Sequence, residues 1–136
     1  MMSFSFTAPT LMEPEALFDP DAILKTSEVY YNTTRETLER LARIKKFVVW
    51  LKAEMEKAGI PTKKGLVLDG EGGGWFFDVA ANEGSVMCVV SNLEGGGTRI
   101  SLTVTEMGGA PEGVDQAVGA LLKRSGEISE LQVGAL

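Results

Sequence analysis

From residue 34 to residue 58 the apolar side chains return at helical spacing. Leu41, Ile44, Val48, Leu51, Met55 and Ala58 fall on one side of a 3.6-residue repeat. The spacing predicts a helix over 34–58. Thr33, with Glu36 three positions on, has the form of a capping box, in which each residue satisfies a free amide of the other. Gly59 predicts a left-handed stop, Ile60 can pack back on Met55, and Pro61 bars continuation.

The period then changes to two. Residues 65–106 read as four short strands separated by glycine-rich turns: Gly70 with Gly72 and Gly73, then Gly84, then Gly95, Gly96 and Gly97. Strand pairing can be deduced by requiring one face to be apolar. Placing Asp69 opposite Gly74 sets Leu68 against Trp75. Placing Ala80 opposite Ser85 sets Phe77 against Cys88 and Trp75 against Val90. Placing Asn92 opposite Thr98 sets Cys88 against Leu102 and Val90 against Ile100. A slip of one residue in any pair turns a whole strand over and destroys the agreement.

Beyond the strands, Pro111 marks the start of a second helix bearing Val114, Ala117, Val118, Leu121 and Leu122 along one side, closed near Gly126. Gly113 and Gly119 weaken that helix unless they permit close packing. Residues 128–133 suit a last short strand. At the other end, Phe4 and Phe6 alternate with serines and suggest a short edge strand, after which Pro9, Pro14 and Pro20 interrupt the path.

These elements predict an α+β domain: a two-layer sandwich in which a four-stranded antiparallel meander carries a long N-terminal helix and a second, C-terminal helix packed on one face. Residues 1–32 form an irregular N-terminal segment, too apolar to be a solvated tail and expected to lie on the domain or on a neighbouring chain. Residues 33–136 form the single α+β domain.

Composition narrows the chemistry. There is no histidine and one cysteine, Cys88, in 136 residues. Histidine-based triads and the usual zinc sites therefore lack their residue types. Cys88 lies in an apolar run and reads as a small core residue. The net charge of −6 sets the chain against nucleic acid and toward a protein partner, a basic one if charge decides. No apolar run spans a membrane, and the N-terminal residues do not have the layout of a secretory signal. The expected location is cytoplasmic, with no membrane association and no cofactor.

Three groups of residues invite a functional reading. Asp69, Glu71 and Glu94, with Asn92, are brought to one end of the meander by its first and third turns, a weak loop for a hard cation such as calcium; exposed turns are also commonly acidic for no such reason. No metal site is assigned. Asp78 is a carboxylate in mid-strand, facing away from the core, with neither a second carboxylate opposite it nor a nucleophile; no catalytic residue is assigned. The third group is apolar. The register puts Val67, Phe76, Val89 and Ser101 in one row on the outer face, with Met87 beside it, where a one-sided sheet should be polar. On the long helix Phe47 and Trp50 stand off the core stripe. Something is expected to cover these positions: the N-terminal segment, the C-terminal tail, a second copy of the chain, or a different partner.

In size and charge the chain resembles bacterial secretion chaperones and toxin-immunity proteins. The chaperones commonly place a helix after the third strand, whereas here a short glycine turn leads from Asn92 to the fourth. The reading is a non-enzymatic protein-interaction module, a small acidic adaptor of chaperone-like or immunity-like type. Its interaction surface is drawn from Phe47, Trp50, Val67, Phe76, Met87 and Val89, and its partner is another protein or a second copy in a homodimer. The alternative is a small-molecule-binding domain or modest carboxylate-dependent enzyme with a cleft between sheet and helices.

Overall fold

A computed structural model describes residues 2–11, 35–63, 65, 67–69, 74–79, 85–92, 99–107 and 113–135. They form an antiparallel sheet with two helices, an α+β arrangement. The strands are β1 (Met2–Thr7), β2 (Val67–Asp69), β3 (Gly74–Val79), β4 (Ser85–Asn92), β5 (Arg99–Met107) and β6 (Ser129–Ala135); the helices are α1 (Arg35–Lys57) and α2 (Val114–Arg124). The sheet has six strands in the order β2-β3-β4-β5-β1-β6. Both terminal strands, β1 and β6, lie beyond β5 at one side of the sheet.

The beginning of the chain forms the short strand that its alternation suggests. Met2–Thr7 is a strand, and it lies inside the sheet, not at its edge, paired antiparallel to β5 on one side and to β6 on the other. Alternation explains it. Phe4 and Phe6 are fully buried, while Ser3, Ser5 and Thr7 take the other face. Burying two phenylalanines contributes about 1.5–3 kcal/mol each, added to the ladders that β1 makes with β5 and β6.

The register agrees with the apolar-face argument on two of its three pairs. Asp69 faces Gly74 and Leu68 faces Trp75; Trp75 faces Val90 and Phe77 faces Cys88. The third differs. Asn92 faces Ile100 rather than Thr98, so Val90 faces Leu102 and Cys88 faces Val104. The displacement is two residues, and the side-chain period of a strand is two, so every residue keeps its face. Facial patterning cannot detect such a shift; the length of the glycine-rich connection decides it.

One core holds the two layers together. From the sheet it takes Phe4, Phe6, Trp75, Phe77, Val79, Ile100, Leu102 and Val104; from α1 it takes Leu41, Ile44, Phe47, Val48, Leu51 and Met55; from α2 it takes Val118, Leu121 and Leu122. Both helices therefore cover the same face. Among the described residues none that is polar or charged is buried. The buried Trp75 indole N–H donates to the Leu41 carbonyl of α1 at 2.9 Å and so ties helix to sheet.

α1 ends as its sequence predicts. Gly59 is left-handed with φ of 83°. The Ile60 amide donates to the Met55 carbonyl at 2.8 Å and the Gly59 amide to the Glu56 carbonyl at 3.1 Å, the two bonds of a Schellman motif. The Glu56 carboxylate then accepts from the Thr62 amide at 2.7 Å, fixing the exit. Lys52 finishes the corner: its ammonium donates to the carbonyls of Lys63 at 3.1 Å and Gly65 at 3.0 Å and lies over the Phe77 ring, 5.5 Å from its centroid. The capping residue Thr33 at the other end lies outside the described residues.

α2 starts later than Pro111 suggests. Gly113 precedes Val114 with φ of 87°, so it stands before the helix and costs it nothing. Gly119 is the glycine that packing requires. A β-carbon there would sit 3.1 Å from Cε1 and 3.3 Å from Cζ of Phe4.

Candidate interaction surface

The functional question falls on the sheet face that neither helix covers. Pairing builds one row across all six strands: Val67, Phe76, Val89, Thr103, Ser3 and Gly134. Thr103, not Ser101, follows Val89 in the row, a consequence of the two-residue shift at β4–β5. The adjoining row runs Asp69, Gly74, Ser91, Ser101, Ser5 and Gln132. On the other side Met87 stands between Asp78 and Thr105.

This face is divided. On β5, β1 and β6 it is made of hydroxyls and one guanidinium, knitted together. Arg99 donates to the Ser5 hydroxyl at 2.8 Å and lies 3.8 Å from the Glu130 carboxylate. The Thr7 and Ser129 hydroxyls share a hydrogen bond of 2.6 Å, and Ser5 donates to Gln132 at 3.4 Å. On β2, β3 and β4 the same face carries Val67, Phe76, Val89 and Met87 at its register positions. Phe76 is only partly buried, between the fully enclosed Trp75 and the nearly enclosed Phe77 on the other side of the strand. A phenylalanine left partly in water in mid-sheet forgoes part of the about 1.5–3 kcal/mol that full burial yields.

The helix half of the expected surface is different. Phe47 is fully buried, its ring 5.5 Å from that of Phe6 and 5.6 Å from that of Trp50. It is a core residue, and its removal from the interaction surface is a correction. Its place off the α1 stripe is filled by β1, a contact between residues far apart in sequence. Trp50 is half-buried at the margin of the same core, and Val49, on another side of α1, is 56% exposed.

The carboxylates do not assemble a site. Asp69 ends β2 opposite Gly74, while Glu71 and Glu94 lie outside the described residues. Among the described residues no group of three or more histidine, cysteine or acidic side chains is placed to hold a metal ion. Asp78 is partly buried opposite Met87, and its main-chain carbonyl accepts from the Lys63 amide at 2.9 Å. Cys88 occupies the register position between Phe77 and Val104.

Sequence reasoning missed the polar cluster of Ser5, Arg99, Glu130 and Gln132. The alternation in both terminal segments was visible, but nothing local tells two strands 127 positions apart that they are neighbours. No protein family, characterised protein or solved structure matches this chain. The surface must be interpreted on its own chemistry.

Proposed function

We propose that this chain is a non-enzymatic protein-interaction module, of the small acidic adaptor, chaperone or immunity type, that docks a protein on the outer face of β2, β3 and β4. The observation that carries the reading is the partial exposure of Phe76 in a row with Val67 and Val89, on the face opposite both helices. A partner that lays an apolar strand or helix face there removes from water the area this chain leaves open. Met87 extends the patch, and the hydroxyl-rich half beside it supplies a polar rim. The net charge of −6 favours a basic partner and opposes nucleic acid. Trp50 and Val49 are too far round α1 to belong to the same surface.

Isolation of the chain from its native host at native abundance tests this, with Phe76→Asp compared against the wild type. A stoichiometric protein that accompanies the wild type and is absent from a folded Phe76→Asp variant is the expected result. A bound metabolite in place of a protein, unaffected by the substitution, would transfer the assignment to a small-molecule-binding domain.

A further inference from the structure

The two edges of the sheet are unlike. β2 is three residues long, and a short edge is a protected one. β6 is seven residues long, closes the other end of the sheet, and among the described residues nothing pairs on its outer side. Its sequence contains no proline and no lysine, and a single charge, Glu130. Glu130 has a positive φ of 54° beside the irregularity in the β1–β6 pairing, and its carboxylate is engaged by Arg99. That leaves residues 132–135 as a regular, uncharged run whose outer main-chain donors and acceptors are paired by none of the described residues. In its centre is Val133, 45% exposed, which with Val49 makes up the exposed large hydrophobic residues among those described.

From these features we infer that β6 is a self-association edge: two copies of the chain pair β6 to β6, antiparallel, about a two-fold axis passing beside Val133. The run is its own complement. Val133 meets the second copy's Val133 and Gln132 meets its Gly134, so an apolar pair lies on the helix side and no like charges face each other. Glu130 stays outside the paired run. A two-fold perpendicular to the sheet makes one continuous sheet from two six-stranded ones, with all four helices on one side. The two Phe76 surfaces then share the other side and remain open, at opposite ends. This pairing stands independently of the docking surface proposed above, and adds bivalence to it. One strand pair buries less than a standard interface, so the association is weak and depends on concentration.

Analytical ultracentrifugation of the full chain over a wide concentration range tests the pairing. The expected result is a wild type approaching the mass of two chains as concentration rises, a Val133→Lys variant that stays at one chain with an unchanged melt, and a Phe76→Asp variant that still pairs. Val133→Cys should give a covalently linked dimer under mild oxidation, which the wild type, with Cys88 alone, should not. A wild type that stays at one chain throughout overturns the inference. So does a dimer that survives Val133→Lys but is lost in Phe76→Asp, which would place self-association on the outer face instead. Loss of the co-isolated partner in Phe76→Asp with pairing intact separates the two proposals.

Discussion

Gly119 shows most clearly how one residue sets the distance between layers. Alanine is favoured over glycine within a helix by about 1 kcal/mol. Against that, its β-carbon would press on a Phe4 ring that is fully buried and has nowhere to retreat, at 3.1 Å. Overpacking of that kind costs about 1–3 kcal/mol. Gly119→Ala should therefore lower stability by a net of about 1 kcal/mol, read as a fall of about 3–5 °C in melting temperature for a chain of this size. A rise would mean that the Phe4 ring yields. Gly126, where no atom approaches a built β-carbon within 4 Å, serves as the control. Gly59 was legible in the sequence because its signal is local, a glycine followed by an apolar residue and a proline at the end of a helical repeat. Phe47 was not, because what covers it is Phe6, forty-one positions earlier in the chain, 47 less 6.

At the level of strands and helices, the sequence revealed which face each strand presents and left open how far strands slide by even steps. The β4–β5 pair is the instance: Asn92 opposite Thr98 and Asn92 opposite Ile100 satisfy the same apolar pattern, and the structure has the second. β1 is a different kind of gap. Its alternation marked a strand, but its place between β5 and β6 depends on a sheet order that no local signal encodes. That place gives it an energetic weight out of proportion to its length. Phe6→Ala should remove the ring that covers Phe47 and open a cavity at the junction of α1 and β1, costing about 3–5 kcal/mol in denaturant unfolding. A cost below about 1 kcal/mol, the level of an ordinary exposed substitution, would mean that β1 is an accessory to the core and not part of it.

Taken as a whole, the molecule is a sheet with one face committed to its own helices and the other divided between a hydroxyl network and an apolar patch. Among the described residues no helix is long and apolar enough to cross a membrane. The candidate site was legible in part: Val67, Phe76 and Val89 do share a row, whereas the acidic loop positions Glu71 and Glu94 fall outside the described residues and Phe47 belongs to the core. The central claim is that Phe76 and Phe77, neighbours in β3, serve opposite purposes, one left to a partner and one to the fold. Thermal unfolding of Phe76→Asp beside Phe77→Asp tests it most directly. The account predicts that Phe76→Asp still melts cooperatively, lowered only by the share of the about 1.5–3 kcal/mol that its partial burial yields, and that Phe77→Asp has no folded state, because it buries an unpaired charge. Equal loss of folding in both would show that this chain itself needs the outer face, and would contradict its assignment as a docking surface.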